Sequence, residues 1–253
     1  LRLVTTPGEE VMNPNADSAL GPPYALVLIL AAIAGAMDAL DFRVYGVFTA
    51  NQAGNLVLVW ERMQENPGEA TLSLFSLAGC AIGVTLVIVL RFKFTFFVTP
   101  SGSRTLLYLA ALFLAVTAFA GVSLTEPIKG VDTGKFPIGS ASWWAGAVSV
   151  GSSAMALAVL GTIFVMVGSR KANVISSTGP YIDSIRFAVA RVFDRSGNWS
   201  PQLKAVFAFP IAWSTGAAIA SFVPLNRGIS ATFCAIVVCL AAFLSRRVGP
   251  KNP

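Results

Sequence analysis

Residues 71–90 read TLSLFSLAGCAIGVTLVIVL, twenty positions without a charge, closed by Arg91 and Lys93. At 1.5 Å per residue such a run matches the hydrocarbon thickness of a bilayer. Backbone N–H and C=O groups in hydrocarbon must be satisfied within the segment, which predicts a helix, and the strict alternation of a membrane β-strand is missing. Five further stretches qualify or come close: Tyr24–Phe42, Thr105–Leu124, Trp144–Val167, Leu203–Val223 and Ile229–Leu244. Composition agrees. Of 253 residues, 55% are hydrophobic and only 12% charged, with mean hydropathy +0.71. Soluble domains carry about twice that share of charge, so lipid must solvate much of this surface.

The same composition narrows the chemistry. Histidine is absent, which removes the commonest metal ligand and general base and any His-ligated haem or pigment. Cys80, Cys234 and Cys239 lie inside apolar runs with no CxxC spacing, and they read as core or lipid-facing residues rather than a disulfide framework. No nucleotide loop, zinc spacing or Ser/His/Asp set occurs, so no metal, cofactor or enzymatic activity is expected. The net charge of +6 reads as basic loops on one side of a membrane. It does not read as a nucleic-acid surface, since no basic run with interleaved aromatics accompanies it. Residues 1–23 are polar and lack the basic start and apolar core of a signal peptide; the expectation is a leader already removed or a start inside a longer precursor.

Two shorter pieces remain. Val47–Trp60 is interrupted by Asn51, Gln52, Gly54 and Asn55, and Ser176–Val192 carries Ser177, Thr178, Gly179, Pro180 and Asp183. Both are predicted to be short re-entrant or tilted helices. Each half then runs long, short, long, long. Ala53-Gly54-Asn55 answers Thr178-Gly179-Pro180, and Gly79-Cys80-Ala81-Ile82-Gly83 answers Gly216-Ala217-Ala218-Ile219-Ala220. With six crossings the 18 Lys and Arg divide thirteen to five, the five being Arg43, Arg62, Lys129, Lys135 and Arg227. Letting both short pieces cross makes the split much more even, so the positive-inside rule favours six, with both termini on the basic, cytoplasmic-equivalent side. Three crossings per half orient the halves oppositely. The expected fold is thus an all-α integral membrane protein of about six transmembrane helices plus two short interrupted ones, in two inverted-repeat halves. Its parts are a polar arm (1–23), a first membrane repeat (24–125), a connecting loop (126–143), a second repeat (144–245) and a basic tail (246–253).

Charges at membrane depth cost roughly 2.5–3.5 kcal/mol and therefore line a cavity or pair. Asp38 and Asp41, three apart, share a helix face, with Arg43 nearby. They are expected either to share a proton near a substrate or to sit at the interfacial end of the helix with one paired to Arg43. Gly54 and Gly179 come early in the short helices, where unpaired N–H groups and the positive dipole end suit an anion or a substrate carboxylate; a tight crossing or turn is the competing use of glycine. The candidate substrate residues are Asp38, Asn51, Gly54, Asn55, Thr178 and Gly179. Asp183 and Arg186 read as a local pair or gate, or as a solvated face. Gly79 and Gly83, with Gly216 and Ala220 in the other half, form small-residue faces for close helix packing, within the chain or towards other membrane subunits.

Gly35-Ala36-Met37-Asp38-Ala39 followed by Phe48-Thr49-Ala50-Asn51-Gln52-Ala53-Gly54-Asn55-Leu56 resembles the signature of the YoaK-like family of uncharacterised polytopic membrane proteins. The resemblance is carried by residues 30–60; Asp38, Gly54 and Asn55 fall on motif positions, and the rest of the chain agrees by span layout. Ala53 stands where the family has Thr, Pro180 follows Thr178-Gly179, and a Gln-Asn pair usual in the family has no counterpart in Ala154–Val167. The resemblance implies a fold more than a function. Two functions follow as expectations: a transporter-like protein for a small solute, or an accessory subunit of a larger membrane assembly, respiratory or photosynthetic, held through small-residue faces and the N-terminal arm.

Overall fold

The computed structural model describes residues 24–122, 137–165, 201–222 and 227–244. Among these residues the chain is all helical, with seven α-helices and no strand: α1 Tyr24–Tyr45, α2 Gln52–Arg62, α3 Pro67–Lys93, α4 Pro100–Val122, α5 Ala141–Val165, α6 Pro201–Phe222 and α7 Arg227–Leu244. A 3-10 turn, Thr95–Val98, joins α3 to α4. Helices α3 (Pro67–Lys93), α4 (over Ser101–Gly121) and α5 (over Ala141–Thr162) are long and apolar enough to cross a membrane, and Gly228–Leu244 is a shorter apolar helix. The second short piece, with Thr178, Gly179, Asp183 and Arg186, lies outside the described residues, as do the N-terminal arm and the basic tail.

Local chemistry sets the ends. Helices α3, α4 and α6 each begin on a proline at the first position, where a missing N–H costs nothing. Helix α1 stops at Gly46, whose φ of +66° is the left-handed cap conformation, and whose N–H donates to the Phe42 carbonyl at 2.8 Å.

Side-chain contacts fix the directions. Asp41 of α1 accepts from Ser153 of α5, and Tyr45, one turn on, lies over Gly146, so α1 and α5 run antiparallel. Along α3 and α5 the contacts advance together, from Thr71 with Trp143 to Gly79 with Gly151 and Gly83 with Ala158. These two are parallel. Helix α6 runs parallel to α1, with Gly35 against Trp213 and Arg43 donating to the Ser221 carbonyl. Helix α7 follows α6 after four residues and packs on α4, which therefore runs the other way. One end of the bundle carries Arg43 and Arg62, and the other carries Arg91, Lys93 and Arg104.

Two apolar clusters hold this arrangement. The larger joins Leu30, Met37, Leu106, Leu114, Leu157 and Val238 from α1, α4, α5 and α7. The smaller, at the Arg43 end, joins Tyr45, Val47, Leu72, Trp143 and Val150. Apolar burial of this kind contributes little between helices in lipid; close backbone packing and interhelical hydrogen bonds carry more. The glycines supply the first. A Cβ at Gly79 would lie 2.3 Å from the Gly151 carbonyl oxygen, and one at Gly216 only 1.9 Å from that of Ala32. At Gly83 a Cβ would stand 2.8 Å from Met155 and Ala158, and Ala220 is buried within the larger cluster.

Candidate functional site

After Gly46 the chain does not continue to the next crossing helix. It turns back into the protein and pairs with α1 two turns above its end. The Asp38 carboxylate accepts from the Thr49 and Ala50 amides, both at 2.7 Å, and from that of Asn51 at 3.4 Å. Only then does α2 start, and it runs back outward until Arg62 donates to the Gly46 carbonyl at 2.8 Å. Asp38 to Tyr45 is seven residues, so α2 begins about 10 Å inside the end of α1. This is a re-entrant hairpin: a short irregular linker inward and a helix out.

Such a path exposes backbone groups to the interior, and each must find a partner. The residues that break the apolar run provide them. Asn51 is the N-cap, its side-chain oxygen accepting from the Gly54 amide at 3.4 Å. Asn55 bridges the hairpin. Its Oδ1 accepts from the Phe48 amide at 3.0 Å, and its Nδ2 donates to the Phe48 carbonyl. Ser76 of α3 donates to the same carbonyl at 2.7 Å and accepts from Asn55 at 3.0 Å and from Gln52 at 3.2 Å. Gln52 also donates to the Thr49 carbonyl at 2.7 Å. Helices α2 and α3 are antiparallel here, seven residues separating both Asn55 from Arg62 and Ser76 from Glu69. The outer rung is an ion pair, Arg62 with Glu69, at 2.5 Å.

Asp41 ties the hairpin to α5. It accepts from the Thr49 hydroxyl at 2.9 Å and from Ser153 of α5 at 2.8 Å. Beside Ser153, Ser152 meets Thr117 of α4 at 2.7 Å, and Ser149 donates to the Thr117 carbonyl at 3.1 Å. The result is a polar seam of two adjoining networks, one through α1, α2, α3 and α5 and one between α5 and α4.

Asp38, Asn51, Gly54 and Asn55 therefore come together, whereas Thr178 and Gly179 lie outside the described residues. Asp38 and Asp41 are 2% and 0% exposed, enclosed by protein, while Arg43 reaches to α6. The amides that lead into α2 are not presented to an external anion, because Asp38 already occupies them. Gly54 serves packing: a methyl there would stand 2.8 Å from the Phe48 ring, which stacks on Phe42 at 4.4 Å between centroids. Thr49, Ser76, Ser153 and the Arg62–Glu69 pair are additions. Small hydroxyls on long apolar helices are routine in sequence and passed unremarked; the signal that could have found them is Ser149-Val150-Gly151-Ser152-Ser153, three serines in five residues.

Apolar helices of crossing length around a buried polar seam define a helical membrane protein. The chain belongs to the family described as "Protein of unknown function (DUF1275)", which matches it over residues 26–245. The likeness to YoaK-like proteins is compatible with that membership. No curated protein and no solved structure matches the chain.

Proposed function

We propose that this protein is a transporter-like carrier for a small solute, with six crossing helices in two oppositely oriented halves and both termini on the side of Arg91, Lys93 and Arg104. The observation that carries the reading is the start of α2 inside the bundle, against Asp38. Interrupted helices that begin mid-membrane at the junction of two repeats are how many secondary transporters build their sites.

The helix pairings support two related halves. Exchange α1 with α5 and α3 with α6, and the α3–α5 pair becomes α6–α1, the other glycine crossing; α4–α7 maps onto itself. Each half thus packs its second crossing helix on the first helix of the other. The α1–α5 antiparallel contact at Asp41 and Ser153 lies between the halves, where alternating access by rocking would open a path.

The seam also limits the solute. Its carboxylates and its Asn, Gln and Ser side chains favour a neutral polar or cationic molecule over an anion, since the backbone donors are already engaged. The test is uptake into proteoliposomes of a panel of small polar and cationic solutes, comparing wild type with Asp38→Asn of equal helical content. Loss of flux for one solute class supports the carrier; identical behaviour for every solute overturns it.

A second reading has its own observation. On α5, Ala154, Leu157 and Leu160 are buried and apolar and Ser149, Ser152 and Ser153 bring only hydroxyls, with no carboxylate to answer Asp38 and Asp41. A fold whose buried carboxylates, among the described residues, all lie on α1 and α3 also suits a scaffold subunit of a larger membrane complex. Mild extraction from the native membrane followed by native gels distinguishes the two: a stoichiometric partner favours the scaffold, and a free monomer or homodimer removes it.

A further inference from the structure

Away from the polar seam, α4 and α7 enclose an open cleft of about 910 Å³. Its floor is made of small residues, Ala111, Ala115, Ala118 and Ala235, and its sides include Phe119 and Phe243. Almost all of the lining is apolar, with Tyr108 and Thr232 supplying the hydroxyls. From Tyr108 to Phe119 the α4 wall spans eleven residues, about 16 Å of helix. That is close to half of the roughly 30 Å hydrocarbon core, the depth of one leaflet.

The ends of the cleft differ. Helices α4 and α7 are antiparallel, so the Tyr108 end lies beside Phe243 near the close of α7. Arg104 stands one helical turn before Tyr108 on the same face, half-buried, with its Nη2 on Ser101 at 2.9 Å. Arg91 and Lys93 mark the same end of the bundle. An apolar slot one leaflet deep, lined by small residues and with a guanidinium one helical turn beyond its Tyr108 end, has the shape and charge of a site for one lipid.

We propose that the α4–α7 cleft binds an anionic phospholipid, its acyl chain on the alanine floor and its phosphate at Arg104. The site is independent of the solute reading, since it touches none of the seam residues.

Native mass spectrometry after reconstitution with chain-matched phosphatidylglycerol or phosphatidylcholine tests this on the full chain. Ala115 is exposed, so Ala115→Trp fills the cleft without entering the core, and Ala115→Leu serves if the larger residue impairs folding. Wild type is expected to retain phosphatidylglycerol at a level at least tenfold above Ala115→Trp. Arg104→Gln is expected to keep lipid binding but lose about fivefold of the preference for the anionic headgroup, the worth of one cation at a membrane surface. Equal lipid retention by wild type and Ala115→Trp overturns the proposal, as does an unchanged headgroup preference in Arg104→Gln. A lipid-free dimer that Ala115→Trp splits into monomers also overturns it, assigning the cleft to a second copy of the chain.

Discussion

The α1–α6 and α3–α5 crossings use the same packing device and differ in what lies beside it. At each, glycine lets two backbones touch: Gly35 and Gly216 at the first, Gly79, Gly83 and Gly151 at the second. Below the α1–α6 crossing, α1 continues into Asp38 and Asp41 and receives the re-entrant hairpin. Along the α3–α5 crossing, α5 carries Ala154, Leu157 and Leu160, all buried and apolar, and its buried polar groups are the hydroxyls of Ser149, Ser152 and Ser153. The two crossings thus share a packing device, while the carboxylates Asp38 and Asp41 stand beside only one of them. Close approach needs nothing more than an absent side chain, so it can be repeated cheaply. A buried carboxylate needs a set of donors built around it, and that set is the hairpin.

The most damaging way to break the comparison is to fill a crossing. Gly216→Leu and Gly79→Leu would each drive a side chain into a carbonyl at about 2 Å that belongs to backbone and cannot rotate away. Each is expected to exceed the usual overpacking cost of about 1–3 kcal/mol, and to do so equally. Unfolding in mixed micelles monitored by helicity measures it; a strongly unequal pair would show that the two crossings are not equivalent.

Removing the carboxylate tests the side of the molecule that has no counterpart. Asp38→Ala strands at least two buried amides and is expected to cost about 2–4 kcal/mol, while Asp38→Asn, which can still accept, should cost about 1 kcal/mol. A neutral Asp38→Ala would mean that the hairpin is held by Asn55 and Ser76 alone. Ser153→Ala removes the link from Asp41 to α5, and about 1–2 kcal/mol is expected for the loss of a buried hydrogen bond. If Ser153→Ala leaves the melting temperature unchanged, α1 and α5 are joined by packing only.

The smallest effect sharpens the glycine argument. At Gly151 a Cβ would rest 3.7 Å from the Phe75 carbonyl, an ordinary contact. Gly151→Ala should therefore lie within about 0.5 kcal/mol of wild type, against the large loss at Gly79 across the same crossing. Parallel thermal melts decide whether the crossing depends on one glycine or on both.

Much of this was legible in residues read singly. The uncharged run over 71–90 and the polar interruption at Asn51, Gln52, Gly54 and Asn55 point to apolar helices of crossing length and an irregular element between two of them. Gly79 and Gly83 announce close packing by their spacing. Their partner was not announced, because a small-residue face fits any other. The Asp38 reading was divided between a substrate group and an interfacial pair with Arg43. A sequence gives the helical phase of a carboxylate but not the path of the linker that returns to meet it.

Solvent preference and local geometry belong to each residue and its near neighbours, and so the oily helices, their caps and the unusual α1–α2 junction could be read from the chain itself. Which helix meets which, and whose amides a carboxylate accepts, depends on contacts between residues far apart in sequence. Only the folded chain decided that Asp38 would hold the inward linker, that Asp41 would reach across to Ser153, and that a leaflet-deep cleft would open between α4 and α7.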